Sequence, residues 1–329
     1  VLFRSAINEV ALSRLLIHHN KVENTMLGCN DYGGLEVFQG GPMYIYNNIT
    51  HNAVGTKTFT GGELAYNLYL DGAFKVYSFN NLITGRYDPD RPNYYGHCGY
   101  FMVFGYLNNF WNNTVYRLEY GVNGSSGNRS AVLGNAFVDM SKTFIGQNRP
   151  GDVSMAFGGD TGEQGRRGIP TMAYGDNVFF GSPDGGFRGE GDFGFIGGTA
   201  PGSRHQKAEV YTGDTLEELS EKLETLGARV SSIGRHVENS PLANPAEGDF
   251  RPAAGSPVRD QGVKFFCPWT LSRVVGEWNF HRSTANPKLV LGENFYMQEE
   301  YVHRSMYYFV PRNDLTVSQA GPDEFLVVP

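Results

Sequence analysis

The sequence is poor in charged residues and has no cluster of one charge sign. Only 19% of its 329 residues are charged, and the net charge at pH 7 is −7. Because nucleic-acid binding demands a basic stripe that neutralises phosphates, we do not expect a nucleic-acid partner. No apolar run approaches the roughly 18 residues that a membrane-spanning helix needs, so we do not expect a membrane span either.

Cysteine is also scarce. The chain has only Cys29, Cys98 and Cys267, an odd number with no Cys-x-x-Cys pair. A zinc knuckle and a disulfide framework are therefore not indicated. One Cys29–Cys98 bridge remains an alternative to buried free thiols.

Glycine and aromatic residues are abundant instead. The chain has 43 glycines and 14% aromatic residues, against a usual glycine share of about 7%. A composition rich in glycine and aromatics but poor in charge is typical of an all-β protein with many turns.

One asparagine recurs between short apolar stretches at six places in the first 180 or so residues of the chain. The segments around it include Tyr44–Ile49, Val76–Ile83 and Phe110–Val115. The recurring asparagines are Asn20, Asn48, Asn81, Asn113, Asn135 and Asn177. Their intervals of 28, 33, 32, 22 and 42 residues are too uneven for helical repeats of fixed length. They suit a coil whose strands have constant length and whose loops do not.

Stacked coils explain why the repeated residue is asparagine. Successive turns of a parallel β-helix lie about 4.8 Å apart, so buried amides can hydrogen-bond to one another in a column. An apolar residue at the bend would leave carbonyl groups unpaired, at about 1–3 kcal/mol each. We therefore predict an all-β, right-handed parallel β-helix. A second set of strands between the asparagines, including 34–38, 63–68, 99–103, 116–120 and 153–157, supplies further strands in each turn.

The pattern changes after Gly213. An α-helix is predicted from Asp214, its N-cap, with Glu217 three residues later as in a capping box. Leu216, Leu219, Leu223 and Leu226 form its apolar face, and Gly227 ends it. We interpret this helix as a packed connector.

A short motif near the C-terminal end resembles a known family. Asp249-Phe250-Arg251-Pro252, then Gly255-Ser256-Pro257 and Asp260-Gln261-Gly262, are similar to the closing coil of bacterial right-handed parallel β-helix proteins of the pectate-lyase-like group. The resemblance spans residues 15–262. It implies a secreted or cell-surface carbohydrate-active protein whose partner is a polysaccharide.

The resemblance also suggests how the chain is divided. We expect a β-helix over residues 6–265, incomplete at its N-terminus. We expect the β-rich extension at 266–329 to be the start of a truncated laminin-G-like β-sandwich. Residues 1–5, VLFRS, resemble a translated sequencing adapter, so the chain is interpreted as an environmental gene fragment that lacks its signal peptide through truncation.

Glycans bind along a groove over one row of strands in such proteins. Tyr66, Tyr100, Phe101 and Tyr120 are expected on successive turns, where flat rings suit sugar faces, although strand alternation turns about half of them inward. Asp160 and Arg166 are further candidates for substrate binding.

Hydrolysis would need two carboxylates at a defined separation. Asp31 and Glu36 lie at the mouth of one coil and Glu119 lies on a later turn, so an acid and a base or nucleophile are expected among them. Each carboxylate has a plain alternative role in capping a coil turn.

β-Elimination would need a base and a cation that neutralises a uronate carboxyl group. His97 and Tyr100 fit a base and acid pair. No cofactor is expected, although Asp88 and Asp90 in the loop 86–93 could hold calcium. The sequence thus leaves open a glycoside hydrolase, a polysaccharide lyase, or a non-catalytic glycan-binding or structural solenoid.

Overall fold

The structure, a computed structural model, describes eleven parts of the chain. They are residues 15–56, 65–85, 98–103, 105, 107–125, 130–149, 172–181, 192–199, 207–213, 215–225 and 227–258.

Strands dominate the described residues. In chain order they are β1 (Leu15–His18), β2 (Lys21–Thr25), β3 (Tyr32–Phe38), β4 (Met43–Tyr46), β5 (Ile49–Ala53), β6 (Ala65–Asp71), β7 (Val76–Phe79), β8 (Leu82–Thr84), β9 (Cys98–Val103), β10 (Asn109–Trp111), β11 (Thr114–Tyr116), β12 (Tyr120–Ser125), β13 (Ala131–Leu133), β14 (Ala136–Val138), β15 (Thr143–Arg149), β16 (Ala173–Phe180), β17 (Asp192–Thr199), β18 (Lys207–Gly213), β19 (Arg229–Val237), β20 (Leu242–Asn244) and β21 (Asp249–Pro252). The one α-helix among the described residues, α1, spans Leu216–Thr225.

These strands form three parallel ladders. The first ladder is β1-β4-β7-β10-β13 and the second is β2-β5-β8-β11-β14. The long strand β16 joins both in one 12-stranded sheet, to which β19 adds the last rung. The third ladder, β3-β6-β9-β12-β15-β17, ends in the antiparallel strand β18. The chain is therefore all-β with long parallel sheets, which is compatible with a parallel β-helix.

The six asparagines form one continuous column at the bend between the first and second ladders. In each pair, the backbone N–H and the Nδ2 of one asparagine donate to the Oδ1 of the asparagine one coil later, at 2.9–3.1 Å. From Asn48 onward, the same Nδ2 groups also donate to a carbonyl of the first-ladder strand one coil earlier, as Asn81 does to Ile45. The predicted stacking of Asn48, Asn81 and Asn113 is confirmed.

The residue before each column member adopts a left-handed conformation. These residues are His19, Asn47, Asn80, Asn112, Gly134 and Asp176, with φ between 51° and 64°. Asparagine, aspartate and glycine tolerate this region best, so the Asn-Asn pairs of the sequence have two different causes. The first Asn turns the chain and the second one bonds to its neighbours.

The column ends where β16 meets β19. Asn177 pairs with Gly234 and donates its Nδ2 to the Ile233 carbonyl at 2.9 Å. Gly234 has φ of +150°, and a Cβ there would lie 2.1 Å from the Asn177 carbonyl oxygen. Only glycine fits this last rung.

Helix α1 packs against the last strands through Leu216, Leu219 and Leu223, which are buried. Its first turn is capped by Thr215, whose Oγ1 accepts from the Glu218 N–H at 3.2 Å. The structure thus gives the N-cap to Thr215, one residue after the predicted Asp214, which lies outside the described residues along with Leu226. Gly227 ends the helix as predicted, with φ of +89°.

The segment after β19 does not form another rung. Strands β20 and β21 form an antiparallel hairpin, and Leu242 and Phe250 pack on the outside of the second ladder. Phe250 meets the Tyr116 ring edge-on, with centroids 5.3 Å apart. The Asp249–Pro252 motif therefore lies beside earlier coils instead of closing the stack, because the second ladder offers an apolar outer face.

The two described cysteines do not form the alternative disulfide, but only one of them is buried. Cys29 is exposed, Cys98 is buried, and both are free thiols. No helix among the described residues is long and apolar enough to cross a membrane. The expected extension at 266–329, with Cys267, lies outside the described residues.

Candidate functional site

The third ladder has two faces with different compositions. Leu68, Leu70, Tyr100 and Met102 point into the main core, together with residues of the first and second ladders. Their strand neighbours of opposite parity form a separate cluster that includes Tyr69, Phe101 and Val103. We call the side carrying this second cluster the outer face of the third ladder, since side chains alternate along a strand.

One row of the outer face crosses four coils. Glu36 pairs with Tyr69, Tyr69 with Phe101, and Phe101 with Asn123. A second row runs from Phe38 to Asp71 and on to Val103. Glu36 and Asp71 are therefore diagonal neighbours on adjacent strands of the same face.

Three carboxylates interact at the beginning of this face, and we call Asp31, Glu36 and Asp71 the acidic cluster. Burial raises the pKa of Glu36, and the nearby charges of Asp71 and Asp31 raise it further, against a hydrogen bond from Gly33 that lowers it. Burial also raises the pKa of Asp71, with Asp31 adding to the shift. Both carboxyls are half-buried and Asp31 is exposed, so solvent reaches the cluster.

The Tyr69 hydroxyl belongs to the same group. Its hydrogen bond to Asp71 lowers the pKa of that carboxyl and opposes the effect of burial. The Tyr69 pKa is itself raised, first by burial and then by Asp71 and the other acids. Tyr69 therefore stays protonated and stabilises the ionised form of Asp71.

Gly33 positions Glu36. Its N–H donates to Glu36 Oε2 at 3.0 Å, while a Cβ on Gly33 would lie 2.8 Å from the Tyr69 Cβ and 2.6 Å from the Leu35 carbonyl oxygen. Any side chain at position 33 would therefore push the two rungs apart at the acidic cluster.

Ring stacking limits which aromatic faces a sugar could reach. Tyr66 stacks on Phe101 with centroids 4.2 Å apart and planes 6° apart, and only 3% of Tyr66 is exposed, so its ring has no open face for a glycan. Tyr120 is half-buried, and the Lys142 ammonium lies over its ring, 5.6 Å from the centroid. Its contact with a glycan stays a prediction.

Tyr100 points the other way, which corrects two predictions. It is fully buried in the core and stacks on Phe110 at 4.3 Å. A ligand on the outer face does not reach it, so it serves neither as a sugar contact nor as the acid of an elimination. Alternation along β9, which places Phe101 outside, is the physical reason.

Glu119 lies apart from the acidic cluster. It precedes β12, three rungs from β3, which corresponds to about 14 Å at roughly 4.8 Å per rung. It is buried and forms a salt bridge with Lys142 at 3.0 Å. The structure thus brings Asp31 and Glu36 together and separates Glu119 from both.

The remaining predicted site residues, His97, Asp160, Arg166, Asp88 and Asp90, lie outside the described residues. Within the described parts of the chain, no group of three or more His, Cys, Asp or Glu side chains has the geometry to hold a metal ion.

Neither Tyr69 nor Asp71 is among the predicted site residues, although the sequence contains a signal for both. Asn48 and Asn81 are 33 residues apart, and the same offset carries Glu36 to Tyr69 and Phe38 to Asp71. The column spacing therefore gives the register of the third ladder from β3 to β12 as well.

Comparisons of the chain with family models, with curated proteins and with solved structures give no match.

Proposed function

We propose that this protein is a secreted carbohydrate-active hydrolase with a right-handed, pectate-lyase-like β-helix. It would act on an extended glycan laid along the outer face of the third ladder. The observation that carries the proposal is the pair of half-buried carboxyls, Glu36 and Asp71, whose pKa values are both raised on adjacent strands of an outer face. Perturbed acids that share a solvent-accessible cluster are typical of catalytic sites.

The two carboxyls suit different roles. Glu36 has the higher ordinary pKa, 4.5 against 3.8 for Asp71, and the charges of Asp71 and Asp31 raise it further, so we assign Glu36 as the general acid. We assign Asp71 as the base, because the Tyr69 hydroxyl stabilises its ionised form against the effect of burial. Glu36 gives its proton to the leaving glycosidic oxygen. Asp71 takes a proton from water as the water oxygen bonds to the anomeric carbon and the glycosidic C–O bond breaks.

The register favours inversion at the anomeric carbon. Neighbouring strands are about 4.8 Å apart and two residues span about 6.6 Å, so diagonal Cα atoms are separated by about 8 Å. Side chains on Cα atoms at this separation can place their carboxyl groups the roughly 6.5–9.5 Å apart that inverting enzymes use, with room for a water molecule between them, so we propose inversion.

The charge of the cluster favours a neutral glycan. Three carboxylates would repel a uronate, and no cationic side chain among the described residues contributes to the pKa shifts of Glu36 or Asp71. β-Elimination needs a cation to neutralise the uronate carboxyl, so hydrolysis fits this surface better.

A panel of glycans tests the proposal. The full chain is incubated with neutral β-glucan, xylan and mannan and with polygalacturonate, and new reducing ends are measured beside ultraviolet absorbance. We expect reducing ends from a neutral glycan without unsaturated uronate, and an inverted anomer by NMR. Glu36→Gln and Asp71→Asn should each lower the rate about 100-fold or more, whereas Glu23→Gln, a β2 carboxylate paired with Lys21, should not change it.

Other outcomes identify the alternatives. Absorbance from unsaturated uronates would indicate a lyase, and binding without products would indicate a non-catalytic glycan-binding solenoid. Equal activity of wild-type protein and both carboxyl variants would place the chemistry elsewhere in the chain.

A further inference from the structure

One phenylalanine on the outer face of the third ladder remains largely in contact with water. Phe38, the last residue of β3, is 63% exposed. It belongs to the outer row that continues to Asp71 and Val103, and Val103, two rungs along, is only 8% exposed. Water thus reaches an aromatic ring on the same face that carries the acidic cluster.

The ring of Phe38 is not stacked, unlike its neighbours on this face. Tyr66 stacks on Phe101, and Tyr69 lies tilted against both, with centroids 4.7 and 5.2 Å away. Phe38 forms no ring contact and is the most exposed aromatic residue of this face in the described parts of the chain. Because stacking uses the ring faces that a sugar would need, Phe38 still has the open face that Tyr66 lacks.

Phe38 lies beside both carboxyls of the proposed acid and base. Asp71 is its partner on the next strand, at about 4.8 Å between Cα atoms, and Glu36 lies two residues earlier on the same side of β3, at about 6.6 Å. Gln39, the next residue, turns the chain with φ of +49° and donates its N–H to the Asp71 carbonyl at 2.7 Å. The backbone that carries the ring is therefore anchored to the strand that carries Asp71.

The surroundings of Phe38 matter more than its exposure. Single exposed apolar residues are common on proteins, and Leu27, in the connection between β2 and β3, is 69% exposed. An apolar ring beside a few convergent polar groups is instead the combination found at ligand sites. A flat ring suits the C–H face of a pyranose and leaves the sugar hydroxyls free for the carboxyls.

We propose that Phe38 is a sugar-binding residue whose ring stacks on the C–H face of the pyranose next to the bond that Glu36 and Asp71 would cleave. This inference rests on the proposed function and names a subsite within it. The ligand is a neutral glycan, because the carboxylates beside the ring repel a uronate. Stacking of this kind contributes equally before and during bond cleavage, so its loss raises KM and leaves kcat nearly unchanged.

Binding and rate measurements on three variants test the subsite. Phe38→Ala, Phe38→Leu and Phe38→Trp are compared with the wild-type residue, and Leu27→Ala is the matched control at an exposed apolar position outside the outer face. Affinities for cello-, xylo- and manno-oligosaccharides are measured by calorimetry in a Glu36→Gln background, in which the glycan stays intact. KM and kcat are measured with Glu36 in place.

We expect Phe38→Ala and Phe38→Leu to weaken the binding of one neutral oligosaccharide about tenfold and to raise KM by the same factor, with kcat within about twofold of wild type. Phe38→Trp should bind at least as tightly as the wild-type residue, which a merely structural role would not require. Leu27→Ala should change neither constant. Unchanged affinity in Phe38→Ala, or an equal loss in Leu27→Ala, would overturn the subsite.

The outcomes distinguish this subsite from the proposed chemistry. Activity that is lost in Glu36→Gln and Asp71→Asn but unaffected by Phe38→Ala would support the hydrolase and overturn the subsite. Binding of a neutral oligosaccharide that depends on the Phe38 ring but yields no products would support the subsite and overturn the hydrolase. Failure of every oligosaccharide to bind would overturn both.

Discussion

The outer faces of the second and third ladders are both built from parallel strands, but one is covered by apolar packing and the other carries carboxylates. The second ladder presents Ile49, Leu82, Tyr116 and Val138, and the chain's own hairpin covers them with Leu242 and Phe250. The third ladder presents Glu36, Tyr69 and Asp71 in neighbouring rows. There, two carboxyls remain half-buried with raised pKa values.

The two faces make opposite contributions to the stability of the fold. Covering apolar rows removes hydrocarbon from water and stabilises the fold by about 25 cal/mol per Å². Partly desolvating interacting carboxylates does the opposite, because it disfavours their charged forms. Acids with shifted pKa values are concentrated at functional sites, which is why our proposal places the function on the third ladder.

The largest expected loss of stability comes from a substitution in the covered face of the second ladder. Phe250→Ala removes a buried ring from the second ladder and should lower the free energy of unfolding by about 3–5 kcal/mol, measured by urea denaturation. Phe38→Ala, at an exposed phenylalanine of the third ladder, is the matched control and should change stability by less than about 0.5 kcal/mol. Equal losses would show that the two faces do not differ as described.

The asparagine column should also contribute strongly to stability, more in its middle than at its exposed end. Asn81→Leu removes the two hydrogen bonds that Asn48 donates to Asn81 Oδ1 and the two that Asn81 Nδ2 donates to the Ile45 carbonyl and to Asn113 Oδ1. It should cost about 3 kcal/mol or more at roughly 1–3 kcal/mol per buried group. Asn20→Leu at the exposed end should cost at most about 1 kcal/mol. Similar losses at the two sites, measured by urea denaturation, would argue against cooperative stacking.

A smaller effect on the rate is expected from the Tyr69 hydroxyl, which hydrogen-bonds to Asp71 on the third ladder. Tyr69→Phe removes the hydroxyl that stabilises ionised Asp71, so the pKa of Asp71 should rise. The acidic limb of the pH–rate profile should then move to higher pH, with a rate loss of about tenfold near that limb. Tyr66→Phe, which leaves the Tyr69–Asp71 hydrogen bond in place, should not move the limb.

The smallest effect is a pH dependence of stability. The folded-state pKa values of Glu36 and Asp71 lie above their ordinary values of 4.5 and 3.8, so the folded state binds more protons. Their contribution is present below those ordinary values and is lost as pH rises through the raised ones. Glu36→Gln should therefore raise Tm relative to wild type at pH 7 and not at pH 3, whereas Glu23→Gln should show no such difference.

The sequence predicts the column well because each asparagine has two constraints on it. A left-handed residue precedes it and apolar strands flank it, so the pattern survives changes in loop length. The same spacings give the register of the third ladder from β3 to β12. Alternation predicts that Tyr100 and Phe101 face opposite sides, but which of them faces the core depends on the packing of the ladders. Tyr66 departs from alternation, because it has the parity of Leu68 and yet packs on Phe101 in the outer cluster.

Other features depend on tertiary contacts that no local pattern contains. The hairpin of Leu242 and Phe250 lies on coils more than a hundred residues earlier, such as that of Leu82. Glu119 resembles Glu36 in sequence surroundings, yet Lys142 from the following coil pairs with it. The closed aromatic faces likewise arise from rings on neighbouring rungs.

Ligand-dependent hydrogen exchange tests the functional contrast most directly. The full chain is measured with cello-, xylo- and manno-oligosaccharides and with oligogalacturonate. One neutral oligosaccharide should protect residues 31–38 and 65–71, with no change in Ile49–Ala53 or Asp249–Pro252. Protection confined to the second ladder and its hairpin, or protection by oligogalacturonate alone, would contradict our assignment of the outer face of the third ladder.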